Sequence, residues 1–162
     1  MKKKPILEER IGRALLDRGW DLALAESCTG GLIGFRITAV PGSSGYFRGG
    51  VVAYENRVKE RLLGVRPATL RLHGAVSAET AVEMARGARR LFGATVALSV
   101  TGVAGPDGGS DARPVGLVYA SACAGRKKVV TEKRFTGGRE RVRRRAADMA
   151  LELLLSLIED HG

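Results

Sequence analysis

The sequence is poor in cysteine, histidine and aromatic residues, and these shortages exclude several classes of protein. Two cysteines, Cys28 and Cys123, among 162 residues provide neither a secreted disulfide framework nor the paired spacing of a zinc site. Aromatic residues make up only 5% of the chain, which leaves little for a surface that stacks nucleic-acid bases. No apolar run approaches a membrane span, and charged residues interrupt the N-terminal segment where a signal peptide needs an apolar core. We therefore expect a cytoplasmic protein with no membrane partner.

Apolar periodicity predicts helices that alternate with strands. The predicted helices cover residues 5–18, 31–40, 55–63, 78–92 and 139–159, and the predicted strands cover residues 20–25, 50–54, 95–100, 115–124 and 128–135. Residues 68–72 form only a short apolar segment in this interpretation. The pattern predicts an α/β fold: one domain over residues 1–162, a three-layer α/β/α sandwich with a mixed sheet of about five strands. The apolar strand 95–100 is expected in mid-sheet, and the last two strands as an antiparallel hairpin.

Positive charge is abundant, and most of the excess lies in one stretch. The net charge is +10, and residues Gly125 to Arg145 contain ten basic residues against two acidic ones. Such a patch could attract nucleic acid or a phosphorylated small molecule. A solvated helix face gives the same pattern, so charge alone leaves these alternatives open.

The motif A-E-S-C-T-G-G, residues 25–31, joins a predicted strand to a predicted helix. This order places the Ser27 hydroxyl beside backbone N–H groups of Gly30 and Gly31 and the positive end of a helix dipole. Such donors suit an oxyanion, and a serine in this position is a candidate nucleophile if a base removes its proton. Cys28 is a rival nucleophile, but strand alternation turns it away from the direction of Ser27, and a buried thiol is expected.

The sequence offers three candidate bases for Ser27. His161 is the penultimate residue, and His73 lies in a predicted loop where a structural role is expected. Lys59 stands five residues after Tyr54, and lysine becomes a base when burial lowers its pKa. A Ser-Lys site with the Tyr54 hydroxyl as relay is one interpretation. The other, which spacing alone favours, is that Lys59 is a surface residue and Tyr54 packs on the core.

A glycine-rich loop follows the predicted mid-sheet strand. Residues 101–116 contain five glycines and two prolines, and backbone amides of such a loop can wrap a phosphate or a ribose. The loop lacks the lysine of a Walker motif and opens no helix as a dinucleotide fingerprint does. Asp107 and Asp111 have no second cluster of ligands at a suitable spacing, so no metal is expected.

Four segments with candidate functional residues lie just after predicted strand ends. They are Ser27, residues 54–59, residues 101–109 and residues 136–139. Because ligands gather at the carboxyl ends of strands in α/β folds, we expect at least three of the four segments to share one cleft.

Seven motifs stand in order along nearly the whole chain. They are A-E-S-C-T-G-G (25–31), P-G-S-S (41–44), A-Y-E-N-R-V-K (53–59), H-G-A-V-S (73–77), T-G-V-A-G-P-D-G-G (101–109), P-V-G (114–116), and a late G-x-R followed by V-R-R (137–144). Together they resemble the C-terminal domain of competence-damage-inducible CinA proteins. That family includes stand-alone nicotinamide-nucleotide amidases.

The resemblance implies hydrolysis of nicotinamide mononucleotide to nicotinic acid mononucleotide and ammonia, without metal or cofactor, in pyridine nucleotide recycling. It implies that Ser27 is the nucleophile, Lys59 the base and Tyr54 its helper. The expected substrate-binding residues are Gly30, Gly31, Ser44, Thr101, Gly102, Gly105 and Arg139. The expected partner is a small nucleotide, and the resemblance suggests a homodimer.

The chain departs from the family pattern at Glu55, where many relatives have serine; an acidic residue there could hold Lys59 protonated.

Two other functions stay open at this point. One is a basic nucleic-acid-binding module that uses residues Gly125 to Arg145, although nucleic acid is the less expected partner. The other is a homo-oligomeric interaction protein whose last helix forms the interface.

Overall fold

The computed structural model describes residues 6–160; Pro5, at the predicted start of the first helix, and His161 lie outside the described residues. The elements in chain order are α1 (Leu7–Arg18), β1 (Leu22–Glu26), α2 (Leu32–Thr38), β2 (Phe47–Val52), α3 (Asn56–Leu63), α4 (Pro67–His73), α5 (Ala78–Phe92), β3 (Val96–Gly102), β4 (Leu117–Ala124), β5 (Lys127–Arg134) and α6 (Arg139–Glu159). A short 3₁₀ turn, Ser43–Gly45, precedes β2. Within residues 6–160, no helix has both the length and the apolar character needed to cross a bilayer.

The five strands form one mixed sheet in the order β2-β1-β3-β4-β5. The first three strands run parallel, and β4 and β5 form an antiparallel hairpin at the other side. The predicted α/β architecture, the mid-sheet place of the third strand and the hairpin are therefore confirmed. The parallel arrangement brings the carboxyl ends of β1, β2 and β3 to the same edge of the sheet.

Helices cover both faces of the sheet. α1, α2 and α6 pack on the face that carries Leu24, whereas α3, α4 and α5 pack on the face that carries Ala25. Because side chains alternate along a strand, the last residue of β1, Glu26, faces α2. Ser27, the next residue, faces α3.

The helices with the clearest capping signals have the predicted bounds. The Ser77 hydroxyl accepts a hydrogen bond from the Thr80 N–H (3.2 Å) at the start of α5, and Gly93 ends that helix at φ 60°. The prediction missed α4, although Pro67 in its first turn was a signal for a helix start. It also placed the second strand wrongly: β2 begins at Phe47 and ends at Val52, because β1 pairs with it over that range.

A close contact between helices fixes α3 on α5. A Cβ atom at Gly87 would overlap the carbonyl group of Leu63, so only glycine lets α5 approach the end of α3 this closely. Since α3 carries Lys59, this contact places the candidate base relative to the sheet.

Candidate active site

A cleft of about 260 Å³ opens at the carboxyl ends of the parallel strands. All four segments that follow predicted strand ends contribute to it, so the expectation that at least three would do so is confirmed. Its polar lining includes Ser27, Tyr54, Lys59, Thr101 and Arg139, and residues Gly102 to Gly105 of the glycine-rich loop also line it.

Ser27 is held in place through its own backbone. Its N–H donates to the carbonyl of Val100 in β3 (3.0 Å), and its carbonyl accepts from the N–H of Gly30 (3.1 Å). Its side chain points toward α3, where its Oγ atom is hydrogen-bonded to Lys59 Nζ at 3.1 Å. Both side chains are nearly buried, with 8% of Ser27 and 1% of Lys59 exposed. The structure therefore brings the two predicted catalytic residues into direct contact.

Lys59 is surrounded by uncharged acceptors. Its Nζ atom donates to the carbonyl oxygens of Ala53 (2.8 Å) and Tyr54 (3.3 Å). Burial lowers the pKa of Lys59 from 10.5 to about 8, against a smaller opposite effect of the Cys28 thiol. Glu55 is exposed at the N-cap of α3, and none of the ion pairs among residues 6–160 joins it to Lys59. Glu55 therefore contacts Lys59 through its backbone carbonyl, which accepts from the Lys59 backbone N–H at 3.3 Å, and its carboxylate forms no ion pair with the Lys59 side chain among the described residues.

Tyr54 and Arg139 meet at the mouth of the cleft. Tyr54 is 59% exposed, and its hydroxyl oxygen accepts a hydrogen bond from Arg139 Nη2 at 2.7 Å. Arg139 Nη1 donates to the carbonyl of Gly105, also at 2.7 Å. Tyr54 thus reaches Lys59 through its backbone carbonyl, whereas its hydroxyl, the predicted relay, contacts Arg139 instead.

At two positions the glycine-rich loop lies too close to neighbouring atoms to carry a side chain. A Cβ atom at Gly102 would lie 2.8 Å from the Leu117 carbonyl oxygen and 3.1 Å from Cys28 Sγ. Gly105 has φ 81°, a conformation that favours glycine, and a Cβ atom there would lie 2.5 Å from Val115. These two predicted substrate-binding glycines line the cleft, and their lack of a side chain allows the loop to pack closely beside it.

Thr101 also lines the cleft. Thr101 is 1% exposed, and its hydroxyl donates to the carbonyl of Ala75 (2.7 Å), in the H-G-A-V-S segment that also lines the cleft. The hydroxyl proton is therefore already used in a hydrogen bond within the protein, although the oxygen atom can still accept a hydrogen bond from a ligand.

Gly30 and Gly31 do not offer the free donors that the sequence analysis expected. The Gly31 N–H donates to Glu26 Oε2 (3.1 Å), and the Gly30 N–H donates to the Ser27 carbonyl. Neither glycine lines the cleft. The expectation of free donors was wrong because the buried carboxylate of Glu26 takes the Gly31 N–H at the start of α2, and the Ser27 carbonyl takes the Gly30 N–H.

Ser44 lies at the other edge of the sheet and does not line the cleft. It is exposed in the turn before β2, and the six residues of that strand place it about 20 Å from the carboxyl end. Within this chain, Ser44 is therefore remote from the cleft, because α2 carries the chain back to the amino ends of the strands; a substrate contact at Ser44 stays a prediction.

The rival catalytic candidates are not arranged for catalysis. Cys28 is buried as predicted, and burial, aided by the charge of Glu26, raises the pKa of its thiol to about 12. His73 ends α4, lies 3.6 Å from Glu79 and does not line the cleft. Within residues 6–160, no three His, Cys, Asp or Glu side chains form a group that could hold a metal ion.

Two lysines of the basic stretch between positions 125 and 145 lie on opposite faces of the sheet. Lys133 lies beside α6 at Arg145, whereas Lys128 lies beside α5 at Arg86. This division follows from the alternation of side chains along β5. Lys128 therefore lies apart from Lys133 and Arg145.

Comparisons with known proteins agree with this fold. Residues 4–158 match the family model of the CinA C-terminal domain. A CinA-like protein of Geobacter sulfurreducens is 52% identical over 148 residues, which are 91% of this chain and 36% of that protein. The chain spans about a third of the length of the curated relatives it matches.

Solved structures show the same architecture. A competence-damaged protein (CinA) superfamily protein from Klebsiella pneumoniae has a TM-score of 0.91 and 36% identity, covering 95% of this chain and 96% of that chain. The competence/damage inducible protein CihA from Agrobacterium tumefaciens has a TM-score of 0.88 and 41% identity, covering 97% and 99%. The chain therefore belongs to the CinA C-terminal domain family.

Proposed function

We propose that this protein is an amidohydrolase that converts nicotinamide mononucleotide to nicotinic acid mononucleotide and ammonia. The observation that carries the proposal is the buried contact between Ser27 Oγ and Lys59 Nζ at 3.1 Å in a cleft at the carboxyl ends of the strands. Membership of the CinA C-terminal domain family and the resemblance to nicotinamide-nucleotide amidases support this choice of substrate.

The surroundings of Lys59 suit a neutral amine that acts as a base. A neutral amine has two N–H bonds and one lone pair, and the carbonyl oxygens of Ala53 and Tyr54 can only accept hydrogen bonds. When these two carbonyls take the two N–H bonds, the lone pair is left for the proton of the Ser27 hydroxyl. This is the direction of proton transfer that activates a serine.

The reaction then follows in two balanced steps. Ser27 Oγ bonds to the carboxamide carbon while Lys59 takes the hydroxyl proton; the carbon–nitrogen bond breaks, and Lys59 returns the proton to the leaving amide nitrogen, which departs as ammonia. Water then attacks the ester on Ser27, gives a proton through Lys59 to Ser27 Oγ, and releases the carboxylic acid. The covalent ester divides one difficult hydrolysis into two easier steps.

Arg139 and the glycine-rich loop are the proposed contacts for the anionic part of the substrate. Arg139 holds a fixed position between Tyr54 and Gly105, so its charge is oriented toward the cleft before a nucleotide arrives. The small number of aromatic side chains, 5% of the chain, favours a small nucleotide over nucleic acid, since few residues could stack on bases.

A panel of amides tests the proposed substrate. Ammonia release is measured with nicotinamide mononucleotide, nicotinamide riboside, nicotinamide adenine dinucleotide, free nicotinamide and a simple aliphatic amide. We expect the highest kcat/KM with the mononucleotide, because only it combines the carboxamide with a terminal phosphate monoester. Ammonia release from none of these compounds would overturn the proposal, and equal rates with riboside and mononucleotide would overturn the role of the phosphate.

The pH dependence of the reaction reports the charge of Lys59. Because the base acts only when neutral, kcat/KM should rise about tenfold per pH unit below the pKa of Lys59 and level off above about pH 8. The measurement is the initial rate of ammonia release between pH 6 and pH 9.5 at constant ionic strength. An inflection near pH 6.5 would point instead to histidine.

A further inference from the structure

Glu26 is a buried carboxylate with no assigned part in the reaction. It is the last residue of β1, only 3% exposed, and its side chain lies on the face of the sheet opposite to that of Ser27. Its carboxylate accepts three backbone hydrogen bonds from the start of α2: from Gly31 (3.1 Å), Ile33 (3.1 Å) and Gly34 (2.8 Å). A charged group at this depth is costly unless it is compensated.

The compensation comes from the helix and not from a basic side chain. None of the ion pairs among residues 6–160 includes Glu26. The first amides of a helix attract negative charge, and here an internal carboxylate fills that position next to the nucleophile. Any anionic group of a substrate must therefore be bound elsewhere in the cleft.

The backbone of Glu26 is tied to the base as well. Its carbonyl accepts from the Ala53 N–H at 2.7 Å, and the carbonyl of Ala53 accepts from Lys59 Nζ at 2.8 Å. The side chain of Glu26 thus anchors the turn that carries Ser27, and its main chain anchors the strand end that holds Lys59. No other described residue makes both of these connections.

We propose that Glu26 is the positioning residue of the nucleophile: its carboxylate clamps the start of α2 and thereby holds Ser27 Oγ against Lys59 Nζ. This inference rests on the proposed function and adds a residue to its site. Glu26 touches no substrate, so its loss should slow the chemical step and leave substrate binding by Arg139 and the glycine-rich loop unchanged.

Glu26→Gln is the decisive variant, because it keeps the shape of the side chain. A glutamine has only one acceptor oxygen, and its amide NH₂ group would face one of the α2 N–H groups. The matched control is Glu8→Gln, which removes charge from a second buried carboxylate that contacts α2 through Arg36 but lies away from Ser27.

The first readout is independent of any nucleotide. A fluorophosphonate probe labels an activated serine: the Ser27 oxygen bonds to phosphorus, fluoride leaves, and Lys59 takes the proton. Labelling at Ser27 is followed by mass spectrometry, and kcat and KM are measured with nicotinamide mononucleotide. We expect Glu26→Gln to lower both the labelling rate and kcat by about tenfold or more with KM unchanged, and Glu8→Gln to leave both near wild type.

Each outcome decides between the inference and the proposed function. Equal labelling of wild type and Glu26→Gln, or an equal loss in Glu8→Gln at the same thermal stability, would overturn the positioning role. A wild type that is labelled at Ser27 but releases no ammonia would overturn the proposed substrate alone. A wild type that is not labelled would overturn the Ser-Lys site itself. If Glu26→Gln does not fold, Glu26→Asp, which keeps the charge but shortens the side chain, replaces it with the same expected losses.

Discussion

Ser27→Ala should lower kcat/KM for ammonia release from nicotinamide mononucleotide by about 10³-fold or more. The variant lacks the oxygen atom that forms the ester, so the two-step route is closed and only direct attack by water is left. The side chain is small and backbone contacts to Val100 and Gly30 hold the turn, so the fold should be retained. The measurement is a coupled ammonia assay together with circular dichroism.

Cys28→Ala is the matched control for this prediction. Cys28 also lines the cleft, but its thiol is buried and has a pKa of about 12, so its removal should leave most of the activity. Full activity in Ser27→Ala, together with an inactive Cys28→Ala, would show that the thiol is the nucleophile and that the proposed mechanism is wrong.

Lys59→Met should lower kcat by about 10²- to 10⁴-fold, the usual contribution of a general base. Methionine has a similar length and suits the buried position, but it cannot accept a proton from Ser27. The remaining activity should also lose the inflection near pH 8, because the group responsible for it is gone. Both effects are measured in one series of initial rates between pH 6 and pH 9.5.

A further variant and a control test whether charge or proton transfer matters at position 59. Lys59→Arg keeps a positive charge that cannot be lost in the accessible pH range, so it should be as inactive as Lys59→Met. Lys133→Met, at an exposed position of β5 outside the cleft, should behave as wild type. An active Lys59→Arg would contradict the role of a neutral amine.

The fold was predictable where local signals and tertiary packing agree. α5 and α6 have their predicted bounds since each combines an amphipathic pattern with a clear start, such as the Ser77 cap. The limits of β2 were not predictable because the glycines in its middle weaken the strand pattern, and pairing with β1 decides where the strand begins. Such pairing depends on residues distant in sequence.

The candidate site was predictable in its residue types but not in its connections. The family resemblance, and not spacing, pointed to Lys59 as partner of Ser27, and the structure places the two atoms 3.1 Å apart. The sequence did not indicate that the Glu26 carboxylate accepts hydrogen bonds from the backbone N–H groups at the start of α2. A glutamate at a strand end has no local sequence pattern that predicts such an internal helix cap. It also could not indicate that the Tyr54 hydroxyl meets Arg139, since the two residues are 85 positions apart.

The packing around Lys59 has a consequence for the response of the site to salt. The base is held by two carbonyl groups and by the glycine-mediated contact of α3 with α5, and no ion pair among the described residues fixes it. Dissolved ions weaken attraction between exposed charges but have little effect on dipoles and steric contacts in a dry interior. We therefore expect ionic strength to leave the alignment of Lys59 with Ser27 unchanged. Salt should act mainly by weakening the attraction between Arg139 and the anionic nucleotide.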